Sequence, residues 1–246
     1  MHDIEAEIFS KNGVPVFDKP LLQASSLNSS GLSTPESLWD IALQHLAEKS
    51  PWLSRTNAVS VHRCRELIGV TPNVWKEYLD GETNLTLSGK VANYLTATLS
   101  LENSAPLVCE WPIGTESTGF VKIDGIKDNG VAGDFLFRGR IDRVDQLLTS
   151  DTGDKHRLVI IRDMKTVNGP KIKQRGARHR QAIFDELQLA LYAAAWEAAY
   201  PNDRVIGVGI TEVGDSTHYY VEIDPEYLDL VENLSIGEVT TYLSLI

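Results

Sequence analysis

Two cysteines, Cys64 and Cys109, are all that the 246-residue chain contains. That excludes a multi-bridge disulfide framework and any four-cysteine cluster built from this chain alone, and it fits a reducing, cytoplasmic setting. Basic residues are also in short supply. Against 34 Asp and Glu there are 23 Lys and Arg, a formal net charge of −11. Such a balance argues against indiscriminate coating of a polyanion, because phosphate contacts need cations. No apolar run is long enough to cross a bilayer, and Met1-His2-Asp3-Ile4-Glu5 lacks the basic and apolar regions of a secretion signal. No membrane partner is therefore expected. Internal repeats are absent too. What remains is a globular composition, 42% hydrophobic and 23% charged, sufficient for a sizeable core.

The chain divides by composition. Residues 1–32 are polar, and Gln23-Ala24-Ser25-Ser26-Leu27-Asn28-Ser29-Ser30-Gly31 reads as a flexible or extended linker. Residues 33–84 read as a helical extension. Thr34-Pro35-Glu36 caps a helix to about Lys49 with Leu38, Ile41, Ala42 and Leu46 on its apolar face; Val61 to Leu67 suits a second, and Thr71-Pro72 opens a third that Gly81 stops. Residues 85–246 carry the strand-rich core. Strands are expected near 106–111, 119–124, 134–147, 157–164, 204–213 and 217–223, giving a mixed α/β fold with a central sheet flanked by helices. Asp224 before Pro225 predicts a terminal helix through Leu243.

Within that core, Ile141–Leu148 and Leu158–Met164 are β-rich runs separated by the turn chemistry of Thr149 to His156. A hairpin centred on Thr152 and Gly153 sets Asp142 opposite Asp163. Directly opposed residues share a face of the sheet, with side chains roughly 5 Å apart. Alternation then puts Lys165 on the same face as Asp163. Two carboxylates held this way repel unless a cation lies between them. Oxygen donors of this kind suit a hard divalent ion such as Mg²⁺ or Mn²⁺, which retains waters and accepts substrate phosphate oxygens. A neighbouring lysine can orient a water or stabilise charge developing on phosphorus.

Downstream, Phe184, Leu187, Leu191 and Ala195 follow helical spacing and are expected to face the sheet. Gln188 and Tyr192 lie four residues apart on an adjoining face, within reach of one ligand. Between strand and helix, the stretch from Arg162 to Arg180 holds seven basic residues (Arg162, Lys165, Lys171, Lys173, Arg175, Arg178 and Arg180) and one acid, Asp163. That local excess in an acidic chain points to a nucleic-acid partner.

Taken in order, these signatures resemble the RecB-type branch of the PD-(D/E)XK nuclease superfamily, above all the nuclease domains of AddB-like helicase–nuclease subunits. Gly139, Asp142 and Asp145 match its Gly-x-x-Asp-x-x-Asp motif, Asp163 and Lys165 its Asp-x-Lys motif, and Gln188 and Tyr192 its Gln-x-x-x-Tyr motif. The resemblance covers roughly residues 85–223. It implies a restriction-endonuclease-like core and Mg²⁺- or Mn²⁺-dependent hydrolysis of DNA. It further implies exonuclease action on single strands in DNA repair or recombination, with a helicase subunit or domain as partner. Asp142, Asp163 and the Met164 carbonyl would hold metal, Lys165 would act as base or water positioner, and Gln188 and Tyr192 would steer the strand. Lys171, Lys173, Arg175, Arg178 and Arg180 are the expected DNA contacts. Some relatives carry an iron–sulfur cluster; two cysteines predict none here. The chain departs from the pattern at Asn93, where a helix that follows Ser88-Gly89 usually offers a histidine; His62 is a possible substitute. Asn93 keeps open an alternative, a weakened or inactive nuclease-fold module that binds DNA or scaffolds a helicase complex.

Overall fold

Runs of Val, Ile and Leu between 104 and 223 alternate with charged residues, and in the computed structural model they form the frame of the molecule. The structure describes residues 90–99, 101, 103–116, 119–125, 133–148, 156–166, 187–214 and 217–240, together with Glu48, Gln181 and Ile183. The expected segment 1–32 and, apart from Glu48, the expected helical extension 33–84 lie outside the described residues.

Eight strands are present among the described residues: β1 (Ser104–Ile113), β2 (Val121–Ile123), β3 (Phe135–Phe137), β4 (Gly139–Leu147), β5 (Arg157–Thr166), β6 (Asp203–Val213), β7 (His218–Ile223) and β8 (Glu238–Thr240). Helix α1 (Lys90–Leu99) precedes β1, α2 (Leu187–Ala199) connects β5 to β6, and a 3₁₀ turn at Pro225–Tyr227 leads into the short α3 (Leu228–Val231). Six strands form one mixed sheet in the order β1-β4-β5-β6-β7-β8. The β5/β6 pair is parallel, and a parallel pair needs a crossover, which the α2 segment supplies.

The β4/β5 register runs Arg143↔Arg162, Val144↔Ile161, Asp145↔Ile160 and Gln146↔Val159, the pairing expected for a hairpin centred on Thr152 and Gly153. Each face of the sheet has its own core. On one side Val144, Val159, Ile161 and Ile210 pack with Leu189, Ala195 and Trp196 of α2. On the other, Leu147, Leu158, Ile160 and Ile206 pack with Val221, Val231 and Ile236. Tyr94 and Thr98 of α1 reach Arg143 and Tyr219 on that second side, so α1 and α2 cover opposite faces.

Three expectations are corrected. The stretch 134–147 is two strands, and β3 leaves the main sheet to pair with β2 in a two-stranded ribbon, Val121↔Phe137 to Ile123↔Phe135. The predicted terminal helix is only the 3₁₀ turn Pro225–Tyr227 and the four-residue α3. Asp224 caps it as expected, its Oδ1 accepting from the Glu226 N–H at 3.0 Å. Gly237 at φ 128° then ends the segment, buried Ile236 anchors it, and β8 joins the sheet parallel to β7. Helix α2 presents only part of its expected face: Ala195 is buried in the core as expected, and Phe184 lies outside the described residues. Leu187 is 70% exposed, whereas Leu189 and Trp196 are buried. The helix is apolar on several sides, so spacing alone does not choose a face. The choice falls to Trp196, whose indole N–H donates to buried Asp203 at 2.9 Å.

Candidate active site

The acidic residues of β4 serve different ends: Asp145 sits with Arg143 on the α1 side, whereas Asp142 lies against the backbone of β5. The paired register of β4 and β5 ends at Arg143↔Arg162, immediately before Asp142 and Asp163. The Met164 backbone N–H donates to Asp142 Oδ2 at 2.7 Å, which ties the two strand ends together. Asp163 is 5% exposed, and its Oδ2 lies 2.8 Å from Lys165 Nζ. That contact is an ion pair without hydrogen-bond alignment, so a buried carboxylate oxygen is left with unused acceptor capacity. Lys165 itself is partly exposed. A hard cation fits such an oxygen. Two carboxylates and a main-chain carbonyl are an adequate protein share for an ion that keeps waters and takes phosphate oxygens. No group of three or more His, Cys, Asp and Glu side chains comes together among the described residues.

Helix α2 packs against β5 and β6, and its first turns carry Gln188 and Tyr192. Gln188 Nε2 donates to the Tyr192 hydroxyl at 2.9 Å, an i, i+4 pair on one helix face. The Tyr192 ring meets Phe137 edge to face, centroids 5.8 Å apart. Gly139 lies beneath both rings: a Cβ there would come within 2.9 Å of Phe137 and 3.5 Å of Tyr192. At the glycine of the Gly-x-x-Asp motif a side chain would press on both rings, and Phe137 would have to give way.

Residues 41–234 match the family model of the PD-(D/E)XK nuclease superfamily. The chain belongs to that superfamily. The six-stranded mixed sheet with α1 and α2 is its restriction-endonuclease-like α/β core, and its members are nucleases that use divalent metal ions. None of the curated proteins matches the chain.

The structure brings some of the expected site residues together and places others elsewhere. Asp142, Asp163, Met164 and Lys165 come together, and Gln188 meets Tyr192. Asp145, third residue of the matched motif, is wholly buried between Arg143 and Arg162. Arg162 is likewise 0% exposed, so it leaves the tally of basic residues facing a nucleic acid. Asn93 is half-buried on α1, one residue before Tyr94, which faces Arg143. His62 and the loop cations Lys171, Lys173, Arg175, Arg178 and Arg180 lie outside the described residues.

Sequence reasoning missed a buried polar cluster and a strained glutamate. Arg143 donates to Asp145 and to the Tyr94 hydroxyl, and Arg162 donates to Asp145 Oδ2 and the Ile236 carbonyl. Tyr219 lies under both guanidiniums at 5.6 and 5.0 Å, a cation–π contact to each. The signal was available as Arg-x-Asp on one strand and Arg on the next, but charged strand residues usually face water. Glu110 has φ 50°, a left-handed backbone disfavoured for non-glycine residues. Its neighbours pair Cys109↔Arg143 and Trp111↔Ile141, which brackets Glu110 beside Asp142, and its carboxylate accepts from Arg140 at 3.4 Å. Nothing in the sequence marks that conformation.

Proposed function

We propose that the protein is a Mg²⁺- or Mn²⁺-dependent deoxyribonuclease of the RecB/AddB-like branch. In this reading it is an exonuclease on single-stranded DNA, working in repair or recombination beside a helicase subunit or domain. The observation that carries the hydrolytic reading is the convergence of Asp142, Asp163 and Lys165 at the ends of two adjacent strands. The order of the Gly139-x-x-Asp142, Asp163-x-Lys165 and Gln188-x-x-x-Tyr192 motifs supports the branch.

Asp142, Asp163 and the Met164 carbonyl would hold the ion, which supplies Lewis-acid polarisation of the phosphate and a more acidic water. Hydrolysis forms a P–O bond from water and breaks the P–O bond to the sugar oxygen, which leaves with a proton. The Met164 N–H fixes the Asp142 carboxylate, so its remaining lone pairs keep one direction. Lys165 places an ammonium beside Asp163, where it can donate to the attacking water or to a non-bridging oxygen as charge develops. Gln188 and Tyr192 orient each other and offer amide and hydroxyl groups to the strand. The test is degradation of end-labelled linear and circular single-stranded DNA by the purified chain. Cleavage of linear DNA only, dependent on Mg²⁺ or Mn²⁺ and reduced about 100-fold or more in Lys165→Ala, is expected. Undiminished activity in that variant would assign hydrolysis elsewhere.

A second reading, a weakened or inactive module that binds DNA or scaffolds a helicase complex, draws on Asn93. Where the family pattern offers an imidazole, Asn93 offers only a neutral amide oxygen, which leaves the two carboxylates with most of the binding. This reading expects DNA binding without cleavage in the wild type, and nuclease activity gained in Asn93→His.

A further inference from the structure

Glu212, near the end of β6, is wholly buried, and the proposed hydrolysis gives it no part. A carboxylate is costly to bury unless opposite charge lies close to it. Its place in the sheet is beside the candidate site. The parallel β5/β6 register pairs Lys165↔Glu212, and the antiparallel β6/β7 register pairs Glu212↔His218. Two residues earlier on β5 and β6, the row is Asp163↔Ile210↔Tyr220, and Ile210 and Tyr220 belong to the core under α2. Both registers step evenly between these rows, so Asp163, Lys165, Glu212 and His218 share the α2 face. Contacts on the two faces agree with that alternation. The His218 ring stacks on Tyr220 at 6.4 Å, whereas Arg162 and Tyr219, from the intervening positions, meet on the opposite face. Lys165 therefore has two acidic neighbours: Asp163, two residues back on its own strand, and Glu212, one strand across.

We infer that Glu212 is a positioning residue for Lys165, holding its ammonium beside the site when a divalent ion takes Asp163. This deepens the nuclease reading and rests on it for the identity of the ion. The Lys165 ammonium stands 2.8 Å from Asp163 Oδ2, an oxygen that the ion would need. Ammonium and ion are both cations, so they compete for that carboxylate and repel each other. Adjacent strands lie about 4.8 Å apart, whereas two residues along a strand span about 6.6 Å. Glu212 is thus the nearer backbone neighbour, and a flexible lysine can turn toward it without leaving the face. Its burial fixes the carboxylate in one place, which suits an anchor. With Glu212 present, the ion displaces the ammonium sideways; without it, the ammonium stays on Asp163 and opposes the ion.

The test is calorimetric Mn²⁺ titration of the full chain without DNA, as wild type, Glu212→Gln, Lys165→Met and the double variant. Glu212→Gln is expected to raise the Mn²⁺ Kd about tenfold more with Lys165 present than in the Lys165→Met background. A uniform loss of negative charge acts equally in both backgrounds, so an equal rise overturns the inference, as does no rise in either. Thermal midpoints in EDTA report folding, and Glu212→Met, of similar volume, carries the same cycle if Glu212→Gln does not fold. In the cleavage assay at saturating Mn²⁺, Glu212→Gln is expected to lower kcat about tenfold with KM for the strand unchanged. A raised KM with kcat unchanged would make Glu212 a strand-binding residue and overturn its positioning role. Coupled Mn²⁺ binding without cleavage would support the inference and remove the hydrolytic reading. Cleavage with an equal rise in both backgrounds would do the reverse. No Mn²⁺ binding by the wild type would remove both.

Discussion

Asp142 and Asp145 are three residues apart on one strand and take different duties. Asp142 goes to the candidate site, whereas Asp145 neutralises part of the charge of two buried guanidiniums. Removing one partner of a buried ion cluster leaves uncompensated charge in a low dielectric, a loss of about 3–5 kcal/mol. Asp145→Ala should show that loss in urea unfolding, whereas Asp163→Asn should abolish cleavage and keep the fold. Acid sensitivity follows from the same residue. Burial pushes the Asp145 carboxyl up, but Arg143 and Arg162 outweigh it and hold it below the usual carboxylate range. Its contribution is then fully present above the unfolded-state value, about pH 4, and is lost as pH falls through the lower folded value. The urea midpoint of the wild type should drop through that acidic window. Asp145→Asn, already destabilised, should lack this component of the drop.

At the scale of elements, the β4/β5 hairpin was legible because turn residues fix a centre and a centre fixes every pair. The separation of β3 from β4 was not. Phe135-Leu136-Phe137 and Gly139-Arg140-Ile141 read as one strand, and only Gly139, pressed under Phe137 and Tyr192, marks where the chain changes sheets. The face of α2 was illegible for a related reason, since tryptophan and leucine compete for the sheet and a polar anchor at Asp203 decides. The β6/β7 pair offers a clean test of close packing. A Cβ on Gly209 would lie 2.4 Å from the Tyr220 carbonyl oxygen, a backbone atom that cannot rotate aside. Gly209→Ala should therefore destabilise the protein by about 1–3 kcal/mol, read as a lowered thermal midpoint.

For the molecule as a whole, a net charge of −11 opposes a polyanionic ligand, so binding must draw on local cations. If Lys171, Lys173, Arg175, Arg178 and Arg180 all contact phosphates of a single strand, log K should fall with log salt at a slope of about −3.5. Replacing the five by glutamine should flatten that slope and weaken binding, as titrations at several salt concentrations would show.

The sequence by itself determined the two acidic strand positions, the lysine two residues on, the hairpin that aligns them and the glutamine–tyrosine pair. Each of these follows from local chemistry, where turn residues and the periods of strand and helix suffice. Tertiary structure alone decided that Asp145 and Arg162 serve the interior, that α2 turns Leu187 outward, and that a ribbon of exposed rings stands apart from the main sheet. Those outcomes depend on which surfaces compete for burial and which charges find partners far along the chain, as Arg162 does at Ile236.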